Sequence, residues 1–119
     1  MNSLIESLFQ NFEVNGVTIP VYFMYYNGHL NTYITYQQES IDNTLSADDS
    51  LLGYVDYYDV DIYSEGNYFA IIQAVIELME SGGFTWQPSR SSGDMYDEDT
   101  KQFHKTLNFA IEREVIENG

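Results

Sequence analysis

Apolar residues recur along the chain with two different spacings. In Asn2–Phe12 they fall at Leu4, Ile5, Leu8, Phe9 and Phe12, the single stripe of an amphipathic helix. Asn2 or Ser3 is placed to cap it, with Glu6 three residues after Ser3 as in a capping box. Asn15-Gly16 then turns the chain. From Val17 to Tyr26 the spacing changes to two, with Val17, Ile19, Val21, Phe23 and Tyr25 on one side, which predicts a strand. Pro20 cannot donate to a ladder, so this strand belongs at a sheet edge or carries a bulge. Asn27-Gly28 is a two-residue turn signal, and Leu30–Gln38 reads as a second strand. Leu51–Ser64 is the strongest strand. Tyr54, Asp56, Tyr58, Val60 and Ile62 share one face, whose Val60/Ile62 end belongs to the core; Val55, Tyr57, Asp59, Asp61 and Tyr63 share the other.

Ser64 or Asn67 starts a second helix, with Glu65 near its positive end. Its wide stripe runs from Tyr68 through Ile71, Ile72, Val75, Ile76 and Leu78 to Met79, and Gly82-Gly83 stops it. Phe84–Trp86 is a short strand halted by Pro88. The tail from Lys101 fits both periods. Phe103, Leu107, Phe109, Ile111 and Val115 alternate, whereas Leu107, Ala110, Ile111 and Val115 suit a helix; Thr106, Asn108 and Phe109 favour a strand to about Glu114. Two polar stretches interrupt the pattern. Glu39–Ser50 (with Asp42, Asp48 and Asp49) and Ser89–Thr100 (with Asp94, Asp97, Glu98 and Asp99) are predicted as loops, mobile in the monomer and ordered on assembly. The order α-β-β-β-α-β-β gives an α+β fold, a mostly antiparallel sheet with two helices packed on one face. The 119 residues form one domain.

Composition changes the picture mainly through charge. Nineteen acids face four cations, a formal net of −15. Residues 1–89 hold twelve acids and no cation, and Arg90, Lys101, Lys105 and Arg113 stand together near the end. A chain this acidic is unsuited to nonspecific binding of nucleic acid or anionic membrane. Eleven tyrosines and seven phenylalanines separate it from acidic disordered chains. No cysteine is present, so disulfides, thiol nucleophiles and thiolate metal sites are excluded. No apolar run approaches the roughly 20 residues of a membrane span, and Met1–Phe12 lacks a cationic leader, so a soluble protein made in a reducing cytoplasm is expected.

Candidate chemistry is sparse. His29 and His104 stand apart, without a metal-ligand spacing, and no serine lies in a nucleophile elbow. Asp59 and Asp61 lie two apart on one strand face, a spacing that permits paired-carboxylate chemistry or a cation but equally a solvated or interface-facing sheet. Asp94, Asp97, Glu98 and Asp99 fail the pattern of a calcium loop. No catalytic residue and no cofactor is expected.

Several segments go further. The run from Leu52 to Ser64, the helix after it and Phe84-Thr85-Trp86, together with Ser92–Lys101 and His104–Glu114, resemble the tail-terminator (tail-completion) proteins of long-tailed phages and prophages of Gram-positive bacteria. The resemblance covers nearly the whole chain and its motifs are structural, not catalytic. It implies a virion protein at the head-proximal end of the tail. Such a protein forms a ring, a hexamer, that stops tube growth and joins tail tube protein to head connector. DNA passes through the channel without being specifically bound.

A ring needs head-to-tail interfaces that close, and the segregated cations supply a means to make them. The candidate interface residues are therefore Arg90, Lys101, Lys105 and Arg113, with Asp94, Tyr96, Asp97 and Asp99; Asp42, Asp48 and Asp49 are candidates for an assembly loop or the lumen. Six copies at −15 each repel one another, so salt or divalent ions should help closure, and an acidic lumen would repel DNA phosphates. The same charge and size also suit a DNA mimic that inhibits a host DNA-binding enzyme.

Overall fold

The computed structural model describes residues 2–28, 30–45, 51–66 and 68–114. Two helices, α1 (Asn2–Leu8) and α2 (Phe69–Ser81), accompany eight strands. These are β1 (Glu13–Val14), β2 (Val17–Thr18), β3 (Val21–Phe23), β4 (Tyr33–Leu45), β5 (Leu51–Ser64), β6 (Thr85–Trp86), β7 (Met95–Asp97) and β8 (Gln102–Glu114). The main sheet has the order β3-β4-β5-β8-β6, with β7 also on β8. Every pairing is antiparallel except β3 on β4, and both helices pack on one face, as the expected α+β class requires.

The core lies where residue periodicity and pairing agree. Tyr36, Val60 and Leu107 stand side by side across β4, β5 and β8, and Gln38, Tyr58 and Phe109 form the next row. Over them lie Ile5, Phe9 and Phe12 from the N-terminal segment and Ile71, Ile72, Val75 and Met79 from α2. Burying each such side chain contributes about 1.5–3 kcal/mol. Helix α2 ends in a Schellman arrangement: Phe84 N–H reaches Met79 O (3.1 Å) and Gly83 N–H reaches Glu80 O (3.1 Å). Gly83 takes the positive φ (95°) this stop requires. The start of α2 differs from expectation. Its N-cap is Tyr68, with no side-chain cap and no acid in the first turn; Ser64 instead completes β5, and Asn67 lies outside the described residues.

The expected first strand divides. Asn15 and Gly16, at φ 52° and 80°, form the two-residue turn of a small β1–β2 hairpin. Ile19 is then buried, its N–H bonded to Phe12 O (3.0 Å), and Pro20 breaks the strand before β3 begins. Pro20 does lie at a sheet edge, where its carbonyl accepts Ile34 N–H (2.9 Å). Asn27-Gly28 does not make a hairpin. β3 runs parallel to β4 (Val21↔Ile34), and Met24–Thr32 carries the chain back. Burial of Ile19 and pairing with a 13-residue strand outweigh the local turn signal.

The two predicted loops are also corrected. Glu39–Leu45 continues β4, pairing row by row with β5 past a bulge between Gln38 and Ser40. The polar residues there earn their conformation from the β5 backbone, not from burial of their own side chains. Within Ser89–Thr100, Pro88–Arg90 forms a 3₁₀ turn and Met95–Asp97 forms β7. These ladders pair Glu39–Leu45 and Met95–Asp97 within a single subunit, so those residues are strand where a loop is expected. Asp48 and Asp49 lie outside them. The tail is a strand, as favoured.

The three long strands outrun the helices. A strand of 14 residues spans about 46 Å at the usual rise. The molecule measures 52 × 26 × 24 Å, and its radius of gyration, 16.1 Å, exceeds the roughly 13–14 Å of a compact globule of this length. Among the described residues no helix is long and apolar enough to cross a membrane.

Candidate assembly surface

The helix-free face of the sheet is polar and internally bonded. The carboxylate of Asp61, 8% exposed, receives Gln37 Nε2 (3.2 Å), the Thr106 hydroxyl and His104 Nε2 (3.2 Å). Burial pushes the Asp61 carboxyl up, but the bonds from His104, Thr106 and Gln37 outweigh it and hold it below the usual value. Asp59 accepts Asn108 Nδ2 (2.9 Å), yet burial raises its carboxyl above the usual value. The two acids are thus held by separate structural donors. Among the described residues no group of three or more His, Asp and Glu side chains is arranged to hold a metal ion.

Toward one end of this face an aromatic ladder crosses the sheet. Tyr33 stacks on Tyr63 (4.6 Å between centroids) and Tyr63 on His104 (4.2 Å); Tyr26 and Tyr22 extend the row. At the same end of the sheet, exposed Met95 pairs with His104, exposed Tyr96 meets Phe103 on the other face, and exposed Leu30 accepts Gln102 Nε2 at its carbonyl.

The edge of β8 is covered by serines. Between β6 and β7, Ser91 Oγ accepts Asn108 N–H (2.9 Å) and Ser92 Oγ accepts Thr106 N–H (2.9 Å), while Trp86 Nε1 donates to Ser91 (3.1 Å). The two hydroxyls take the place of a strand's carbonyls, a role that a polar Ser-Ser-Gly sequence does not advertise.

Three of the four cations serve their own subunit. Arg90 reaches across the sheet to the bulge on β4, where its Nη2 meets Glu39 Oε2 (2.8 Å) and Ser40 Oγ (2.9 Å), with its guanidinium 3.8 Å above the Tyr57 ring. Lys105 Nζ donates to Asp94 (3.2 Å), which also accepts the Tyr68 hydroxyl. Those two bonds, the tyrosine's first, hold the Asp94 carboxyl below its usual value. Arg113 Nε donates to Asp56 (2.7 Å), a carboxylate 2% exposed, and lies 4.3 Å from the Tyr54 ring centre. The Arg90–Glu39 and Arg113–Asp56 pairs join residues far apart in sequence. Only Asp56, an acid on the core-facing side of its strand, offered a signal.

Of the other candidates, Asp97 organises the turn before β8 by accepting Asp99 N–H (2.9 Å) and Thr100 N–H (3.4 Å). Lys101 takes φ 58° in that turn and makes no ion pair among the described residues. Tyr96 is half exposed against Phe103, Asp99 is exposed, and Asp42 is exposed on the far reach of β4. The candidates therefore do not form one cluster. Arg90, Arg113 and Asp42 belong to the long-strand arm; Asp94, Tyr96, Asp97, Asp99, Lys101 and Lys105 lie toward the opposite end.

No family model matches the chain, and no curated protein is significantly similar to it. Among solved structures, the fold is shared with a chain of "Virion of native gene transfer agent (GTA) particle". The match has a TM-score of 0.55 and 16% identity, and spans 80% of this chain and 78% of that one.

Proposed function

We propose that this protein is a structural virion component that closes into a ring, a hexamer, on the end of a phage tail tube. There it stops tube growth and presents the surface that joins tail to head connector. The observation that carries the reading is the fold shared with a chain of a gene transfer agent virion, found in a sequence that resembles tail terminators. The site geometry suits an assembly role: Asp59 and Asp61 are each bonded to side chains of the neighbouring strands, which ties them into the sheet. The protein is proposed to be no enzyme and to need no cofactor. It would be made in the host cytoplasm and reside in the virion, with DNA passing through the ring.

The exposed apolar end at Leu30, Met95, Tyr96 and Phe103 is the surface offered to the tail tube protein, since such patches mark protein contacts. Lys101 is the cation offered to a neighbour. Reversal by Lys101→Glu is expected to leave melting unchanged, because an exposed side chain with no ion pair among the described residues contributes within about 0.5 kcal/mol. It is expected to reduce co-sedimentation with tail tubes. Unimpaired co-sedimentation would remove Lys101 from the interface. Failure of the unaltered protein to sediment with tubes, with capture of a host DNA-binding enzyme instead, would favour the DNA mimic. Against mimicry, Asp56, Asp61, Asp94 and Glu39 are each bonded to donors within the subunit and so are withdrawn from any phosphate-like array.

A further inference from the structure

The long-strand arm leaves two sheet edges open at the same level. On one side, β3 pairs with β4 only through Tyr36, and among the described residues nothing pairs with β4 there from Ile41 onward. On the other side, β6 reaches β8 only at Phe109 and Ala110, which leaves Ile111–Glu114 without a partner on that edge among the described residues. The two open stretches share rows through β5: Ile41↔Asp56↔Ile111, Asp42↔Val55↔Glu112 and Asn43↔Tyr54↔Arg113. Amide directions alternate along each ladder. Thr106 and Asn108 turn their N–H groups away from β5, so Glu112 does the same. On β4 the bulge shifts the alternation so that Ile41 and Asn43 turn outward. Each edge is a row of donors and acceptors ready for another strand.

We infer that the open edge of β4 in one subunit pairs with the open edge of β8 in a second copy of this chain, so that the ring carries a continuous sheet. The inference rests on the ring proposed above and names its seam. The occupant follows from geometry. β4 and β8 are both antiparallel to β5 and hence parallel to each other. A rotation that places copies head to tail preserves strand direction, so β8 of one copy meets β4 of the next as a parallel pair. Because both edges lie at one level of the arm, the same rotation repeats without a step along its axis and can close. Exposed Asp42 and Glu112 occupy the same row on the helix-free face. Like charges opposed across a seam weaken it, which keeps single subunits apart until salt or a tail tube favours assembly.

Because the chain has no cysteine, introduced pairs report the seam directly. Within one subunit β5 separates residues 42 and 112 by two strand spacings, about 9.5 Å, beyond the roughly 7 Å that a disulfide spans. Glu112→Cys is combined with Asp42→Cys in one protein and with Ser40→Cys in another, to cover two registers on the same face. Both are assembled with salt, inspected for rings by electron microscopy and oxidised. The expected result is a ladder of cross-linked species up to the ring's subunit number on a non-reducing gel in one of the two. Single-cysteine proteins should form dimers only when the two types are mixed. Rings in both preparations with only monomers on the gel would overturn the seam and leave the ring standing. Absence of rings from the unaltered protein and both variants, with and without tail tubes, would overturn seam and ring together.

Discussion

Replacing Arg113 by Ala or Glu is expected to destabilise the folded subunit, with a clear fall in Tm. Asp56 stands in the row beyond Tyr58, on the helix-facing side of β5, 2% exposed, with Arg113 Nε at 2.7 Å and Gln38 Nε2 at 3.4 Å. Removing one partner of a buried ion pair leaves the other charge uncompensated, which costs about 3–5 kcal/mol. The Arg113 side chain is itself 41% exposed, so water can replace part of it and the loss is smaller than for a pair buried on both sides. The effect should shrink in the double variant Asp56→Asn/Arg113→Ala, where no buried carboxylate remains. Thermal unfolding of the four proteins measures the coupling. A Tm within two or three degrees for Arg113→Ala would show that the pair contributes little. Charge segregation marks Arg113 as a candidate interface residue; the pairing with Asp56 makes its loss a folding defect, which leaves Lys101 as the cleaner probe of assembly.

Alkali is expected to unfold the protein between about pH 10 and pH 12. Burial pushes the Tyr36 phenol up to about 12, helped by its bond to Glu6. Burial also takes Tyr63 to about 12, with Asp61 and Tyr33 adding to it, and Tyr68 to about 12, with the bond to Asp94 adding to it. These groups are neutral when protonated, so the folded state keeps its protons where the unfolded chain, ionising near 10, has lost them. In that window the unfolded state binds fewer protons, and stability falls with rising pH by about 1.4 kcal/mol per unit for each phenol. Below about pH 10 the three contribute no slope. Denaturant titrations at stepped pH, with tyrosinate absorbance beside circular dichroism, provide the check. Part of the tyrosinate signal should appear only together with loss of the folded signal. Constant stability to pH 12 would contradict the burial of these phenols.

Legibility differed by element for physical reasons. β5, α2 and β8 were readable because their own side chains alternate or recur with the period of the element and are buried in that pattern. β4 beyond Gln38 was not, because its residues 41–43 are exposed and its conformation comes from β5. The divided first strand was half legible: Pro20 signalled an edge, but nothing local signals that β3 runs parallel to β4. The segregation of cations was visible, but its use was not. It reads as charge kept for a neighbour. In the fold, Arg90 and Arg113 bring the late part of the chain onto acids of the earlier part, Glu39 and Asp56, while Lys105 pairs with Asp94 within the late part.

The central claim, a closed ring at the end of a tail tube, is tested most directly by electron microscopy of the purified protein alone and mixed with growing tail tubes. The account predicts rings of a single subunit number, six, with an axial hole. They should sit at tube ends, and the tubes should cease to lengthen once the protein is added. Tubes that elongate unchanged, with bare ends and the protein dispersed as single subunits at every salt concentration, would contradict it.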